Sequence, residues 1–278
     1  MSLAWIEAIT EVLEADEDYW PLTVRYVWYR LIGREINGVV VKKDPSAPGK
    51  RPRSLQKVEE KLNRGRRAGL FPWEALHDGG VVEASAGGFI DPSHFWHWVR
   101  LEAEDYHRDL LENQPTYVEI WCEAAGLVPR VALAAKDYGV PVYSGGGQNS
   151  TSMKHDGAQR IVRDGRSTVL LHIGDLDKFG EHIFGAVFAD VPQFVEDYGR
   201  PRPEVIRLAV TREQIALFQL PTDEKGQFQA EAVPAAVLDG VIRAALDDLL
   251  DENTRQDVLD RSAAEREQIE AIVRHAGG

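Results

Sequence analysis

Thr168-Val-Leu-Leu-His-Ile-Gly-Asp-Leu-Asp177 decides how this chain folds. A mostly apolar run over 168–173 stops at a glycine and two aspartates, as a buried strand does when it delivers acid to the rim of a sheet. A second such run, Tyr117-Val-Glu-Ile-Trp-Cys-Glu123, ends on a carboxylate 52 positions before Asp175. Side chains two apart on a strand point the same way, so Asp175 and Asp177 face one spot if the extended geometry persists. Glu123 reaches that spot if the two strands are parallel neighbours. Three carboxylates around one point repel each other unless a cation sits among them. Hard oxygen donors without Cys or His favour Mg²⁺, with Mn²⁺ as a substitute, over zinc. The expectation is a metal site built for phosphate chemistry.

Outward from these runs, strand and helix alternate. A helical 127–138 leads to Gly139-Val-Pro-Val-Tyr143, and the Gly-rich Ser144-Gly-Gly-Gly147 leads to a helical 153–163. After the aspartates come a helix around 182–188, a strand near 204–210, and helices at 211–218, 235–250 and 255–275. This order predicts an α/β fold, a mostly parallel sheet flanked by helices, with its ligand site outside the carboxyl ends of the strands. The chain before it reads as mainly helical: an amphipathic 3–13, then a helix over 24–32 capped by Thr23, and another over 95–111. Residues 78–92 read as a loop or small β-wing. Asn113-Gln-Pro115 reads as a hinge that divides 1–113 from 114–278.

Composition is that of a soluble globular protein, 44% hydrophobic and 28% charged over 278 residues. No apolar run approaches the roughly 20 residues of a membrane span, and the N-terminus lacks a signal-peptide pattern, so a cytoplasmic, nucleoid-associated protein is expected. The single Cys122, in an apolar strand, reads as a buried thiol and excludes an intrachain disulfide. Net charge is −13, yet between Lys42 and Arg67 ten Lys or Arg face three acids. Lys42, Lys43, Lys50, Arg51, Arg53, Arg64, Arg66 and Arg67 are therefore candidate contacts to a phosphate backbone. A solvated loop and helix face is the plain alternative.

The strand-Glu unit followed by Gly174-Asp-Leu-Asp-Lys-Phe-Gly180 resembles a Toprim domain, the magnesium-binding fold of topoisomerases, primases and related nucleases. Tyr138-Gly-Val-Pro-Val-Tyr143 and Ile215-Ala-Leu-Phe-Gln-Leu-Pro221 narrow the resemblance. They are similar to the A subunit of topoisomerase VI, its meiotic double-strand-break relatives and short phage or prophage proteins of that superfamily. The resemblance covers about residues 20 to 250. It implies a winged-helix-type domain at 1–113 carrying a nucleophilic tyrosine. Thr23-Val-Arg-Tyr-Val-Trp-Tyr29 is similar to that segment and puts Tyr29 at the nucleophile and Arg25 beside it. Residues four apart on a helix do stack, and a guanidinium near a phenol stabilises phenolate. The implied reaction is attack of Tyr29 on a DNA phosphodiester, leaving a 5′-phosphotyrosine, with Mg²⁺ on Glu123, Asp175 and Asp177. A homodimer in which one subunit's tyrosine works with its partner's metal site is also implied.

The chain departs from the family pattern in three places. Ala124 stands where lysine often follows the motif glutamate. Trp28 replaces the first tyrosine of a tandem. Lys178 stands where proline is common, adding a cation that either meets DNA or repels the metal. No nucleotide-binding loop is visible, so ATP-driven strand passage requires a separate ATPase subunit. Two alternatives stay open: a Toprim nuclease using metal-activated water, and a non-catalytic DNA-binding protein. Among further candidates, Glu119 shares a strand face with Glu123. Ser150, Thr151 and Ser152 suit helix capping or a phosphate. His94, His97, Trp73, Trp96 and Trp98 read as packing or interdomain anchors, and His172 as a satisfied core histidine.

Overall fold

A computed structural model describes residues 2–43, 52–77, 88–144 and 151–276. The N-terminal elements are α1 (Leu3–Ala15), β1 (Leu22–Thr23), α2 (Val24–Leu31), β2 (Glu35–Ile36), β3 (Val39–Val40), α3 (Arg53–Arg67), β4 (Leu76–His77) and α4 (Pro92–Glu104). The remainder runs β5 (Thr116–Cys122), α5 (Val128–Ala135), β6 (Val142–Ser144), α6 (Thr151–Asp164), β7 (Ser167–Ile173), α7 (Lys178–Asp197), β8 (Glu204–Ala209), α8 (Arg212–Leu217), α9 (Ala235–Leu249) and α10 (Glu252–Ala276).

Four parallel strands in the order β6-β5-β7-β8 form the main sheet. The register of β5 on β7 runs from Thr116 opposite Ser167 to Cys122 opposite Ile173, so both strands end at the same rim. Their near-continuous apolar sequence follows from burial on both faces. On one side Val118, Ile120, Leu171 and Ile173 pack with Val131, Leu238, Ile242 and Leu246 of α5 and α9. On the other, Trp121, Leu170 and Val205 pack with Ala158, Ile161, Val191 and Val195 of α6 and α7. The expected α/β layering with helices on both faces is thus present.

The N-terminal part has its own core, made of Ile9, Val12 and Leu13 of α1, Val27, Trp28 and Leu31 of α2, and Leu55, Val58 and Leu62 of α3. Thr23 caps α2, accepting from Tyr26 N–H at 3.0 Å. In α1 the buried face includes Trp5 rather than Leu3, which is exposed. Several boundaries differ from expectation. The helix read over 95–111 ends at Glu104, and Asp91 caps its start by accepting from His94 N–H at 2.7 Å. The helix around 182–188 is the 20-residue α7, which runs through Pro192.

The segment 113–115 is not a loose hinge. Gln114 is buried, donates to the Asp251 carbonyl and accepts from Asp251 N–H, both at 2.8 Å. The two cores also meet. Ala235 of α9 belongs to the N-terminal cluster, and its N–H donates to the Tyr26 hydroxyl at 3.0 Å. The Arg130 guanidinium of α5 lies 4.6 Å from the Tyr26 ring centre. The helical 1–113 part is therefore seated against α5 and α9 by buried contacts. Residues 78–87, most of the expected wing, lie outside the described residues.

Candidate active site

Glu123 follows β5 directly, and its N–H donates to Ile173 O at 2.8 Å, which fixes the two strand ends side by side. Its Oε2 accepts from Asp175 N–H at 3.0 Å. Asp175 Oδ1 accepts from Ala230 N–H at 2.8 Å, and Asp177 Oδ1 from Gly180 N–H at 2.8 Å. Regular strand ends at Ile173. Beyond it Leu176 pairs with Phe228 and enters the core, so the two aspartates flank a buried anchor. Asp177 thereby serves as a helix cap for α7, a role that the strand reading did not foresee.

Both motif glycines are required by close approach. A Cβ on Gly180 would lie 2.0 Å from Asp175 O, and one on Gly174 would lie 2.7 Å from Glu123 Oε2 and 2.5 Å from His172 Cε1. The spacing of Gly174-Asp-Leu-Asp-Lys-Phe-Gly180 is what lets the loop fold back on itself.

Glu123 and Asp175 feel their acidic neighbours. Burial, assisted by the charges of Glu123, Asp177 and Glu231, pushes Asp175 up to about 7. Burial and then Asp177 raise Glu123, against the Asp175 N–H and Arg207, which lower it. Among the described residues no three Asp, Glu, His or Cys side chains converge closely enough to hold an ion. The backbone N–H groups instead occupy one oxygen of each acid, while Glu123 Oε1 and Asp175 Oδ2 have no hydrogen-bond partner among the described residues. Glu123, Asp175 and Asp177 are hard oxygen donors of the type that Mg²⁺ takes, and since they do not converge here, coordination by all three requires side-chain rotation.

The candidate nucleophile lies close by in the same chain. Arg25 does not bond Tyr29. Its Nη1 donates to Glu231 Oε2 at 3.0 Å, and Glu231 is next to Ala230, the donor to Asp175. Tyr29 is part-buried, its ring 4.7 Å from Trp28, with the Lys43 ammonium 6.0 Å from its centre. Burial, then Glu231 and Asp175, raise the Tyr29 phenol well above its ordinary value, and Arg25 offsets this only in part. In this state the phenol is protonated, so the expected activation by Arg25 is not in place.

Other expectations are corrected. Glu119 is fully buried and accepts from Tyr117 at 2.8 Å, Trp121 at 2.7 Å and Arg160 at 2.8 and 2.9 Å. It is a packing clamp remote from the rim. His172 is buried, but its Nδ1 has no partner among the described residues, so it is not satisfied. Desolvation and the nearby Arg207 push it down to about 4. His94 and His97 are exposed, as are Trp73 at 59% and Trp98 at 44%, so these do not anchor a core. Arg66 is buried, its guanidinium 4.4 Å from the Trp73 ring centre, and is unsuited to a backbone phosphate. Lys42, Lys43, Arg53, Arg64, Arg67 and Lys178 are exposed. Lys50, Arg51, Ser150 and the side chains of Thr151 and Ser152 lie outside the described residues.

Two residues at the site were missed. Arg207 donates to Val210 O at 3.0 Å and to the Asp175 carbonyl, and pairs with Glu181 at 3.1 Å, clamping the acidic loop from below. A lone arginine in the apolar Val205-Ile-Arg-Leu-Ala209 was the available signal, since burying such a charge is costly without a purpose-built set of partners. Glu231 had no comparable signal, being 54 positions past Asp177 in an unremarkable Ala-Glu-Ala stretch.

Comparison with protein-family models, curated proteins and solved structures finds no significant match to this chain. Among the described residues no helix is long and apolar enough to cross a membrane.

Proposed function

We propose that this chain is a Toprim-type, topoisomerase VI A-like DNA-cleaving protein. In this reading Tyr29 attacks a DNA phosphodiester and leaves a 5′-phosphotyrosine. The observation that carries it is the short path from nucleophile helix to acidic loop: Arg25 to Glu231 at 3.0 Å, and the adjoining Ala230 N–H to Asp175 at 2.8 Å. A tyrosine helix and an acid loop tied to each other by hydrogen bonds are what a two-part phosphoryl-transfer site needs. Glu123, Asp175 and Asp177 would hold Mg²⁺ or Mn²⁺, which would neutralise charge on the phosphate. Arg25 would bind a phosphate oxygen, Tyr29 Oη would give up its proton to solvent as it forms the new P–O bond, and the 3′ oxygen would leave and take a proton from solvent to become a hydroxyl. The exposed cations of α3, with Lys42 and Lys43, would hold the DNA backbone. The resemblance pairs one subunit's tyrosine with its partner's metal site, whereas the path from α2 to the acidic loop here lies within one chain; a homodimer would present two sites to a duplex in either pairing, and strand passage would need an ATPase partner.

Covalent trapping on supercoiled plasmid with Mg²⁺ tests this: wild type should give a protein–DNA adduct, and Tyr29→Phe and Asp175→Asn should not. The raised phenol of the ligand-free chain favours a second reading, in which the metal activates water and Tyr29 is structural. Cleavage that survives Tyr29→Phe undiminished, with no adduct, selects that nuclease.

A further inference from the structure

Glu231 stands between the two halves of the candidate site and has no role in the chemistry proposed above. Its side chain is 10% exposed, in a slot formed by Thr23, the cap of α2, and Gly126, in the turn after Glu123. A Cβ on Gly126 would lie 2.4 Å from Glu231 Oε1 and 3.1 Å from Thr23 Cγ2, so this slot exists only because residue 126 lacks a side chain. From it Glu231 takes the one guanidinium that lies one helical turn from Tyr29. Arg25 itself is 51% exposed, so a phosphate oxygen can reach it from solvent.

We infer that Glu231 is a positioning residue that holds Arg25 in the DNA-free chain and yields it to the incoming phosphate. The inference rests on the proposed tyrosine chemistry. An arginine–phosphate pair reproduces the geometry of the arginine–carboxylate pair that it replaces, so the exchange needs only a modest swing of the guanidinium. Its consequence is that Tyr29 is kept protonated until substrate arrives. Among the described residues the charged groups around the phenol are Arg25 on its own helix, Glu231 from the turn at 230–232, Asp175 from the loop after β7, and Lys43 over the ring. Glu231 and Asp175 both oppose phenolate. A cation on the acidic loop would cancel the second; Arg25 opposes both only in part while it is paired with Glu231, and moving its guanidinium onto the phosphate under attack brings it to the reacting oxygen. A nucleophile gated in this way does not ionise in the absence of DNA.

The test is the rate of covalent adduct formation with Mg²⁺ between about pH 6 and pH 10 for wild type, Glu231→Gln and Glu231→Asp. Glutamine fills the same slot without charge, and its acid limb should move down by about one pH unit. Aspartate keeps the charge and should keep the wild-type limb. Glutamine should also bind uncleaved duplex at least about threefold more tightly at low salt, because Arg25 is released. A Glu231→Gln profile that superimposes on wild type overturns the inference, as does an equal shift in both variants, which would make the effect one of shape. A wild-type chain that cleaves without any adduct rejects the tyrosine chemistry itself, a result distinct from an unshifted profile.

Discussion

At the scale of single residues, Asp175 reports the cost of gathering acid at a buried rim. Its carboxyl prefers the proton in the folded chain, with its value raised from the ordinary range to about 7 by burial first and by three neighbouring carboxylates next. An acid raised by folding loses stabilisation as pH climbs from its unfolded value to its folded one. The metal-free chain should therefore lose stability between about pH 4 and pH 7 through this group, an effect on the order of 4 kcal/mol. Asp175→Asn should melt higher than wild type at pH 8 and equal to it near pH 4, as read by thermal denaturation in a chelating buffer. Added Mg²⁺ should raise the wild-type melting temperature at pH 8 and leave that of Asp175→Asn almost unchanged. The acids were legible because carboxylates that end apolar strands have few structural uses. The capping of α7 by Asp177 was not, because a strand-based reading says nothing of how the chain leaves the sheet.

At the scale of elements, the acidic loop is held by close contacts that tolerate no added atom. Gly180→Ala places a methyl 2.0 Å from Asp175 O, so the loop must move. Adduct formation should fall at least about 100-fold, and the Mg²⁺-dependent rise in melting temperature should be lost with it. The clamp within β5 behaves differently. Glu119 is fully buried with Arg160 as its countercharge, so Arg160→Ala strands a charge in the core and should cost about 3 kcal/mol of stability. Adduct chemistry at low temperature should be spared, and denaturant titration alongside an activity assay separates the two. The parallel strands were legible from continuous apolar runs and from alternation with helices. The length of α7 was not, since Pro192 reads as a stop in sequence although the helix continues through it. On α4, Trp98 reads as an anchor in sequence because tryptophan is apolar, but it faces solvent at 44%.

At the scale of the whole molecule, charge is segregated. The chain carries −13 overall, while α3 and the segment before it concentrate cations. DNA binding should therefore be strongly salt-dependent, with a steep negative slope of log affinity against log salt. Arg67→Gln should reduce that slope by about one, in a filter-binding or anisotropy titration at several ionic strengths. Arg66 should not act as a phosphate contact, since it is buried under Trp73. The seating of α2 on the turn at 230–232 was beyond the sequence, because it joins residues about 200 positions apart through one ion pair and the Tyr26 hydroxyl.

The central claim is that the phenol of α2 becomes bonded to DNA phosphorus beside an acid-held divalent ion. The direct measurement is to cleave DNA with the wild-type chain and Mg²⁺, digest the product with nuclease and protease, and sequence the nucleotide-bearing peptide by mass spectrometry. The account predicts a 5′-phosphotyrosine on Tyr29. Cleaved ends carrying free 5′ phosphate with no modified peptide, or a nucleotide attached to another residue, would contradict it.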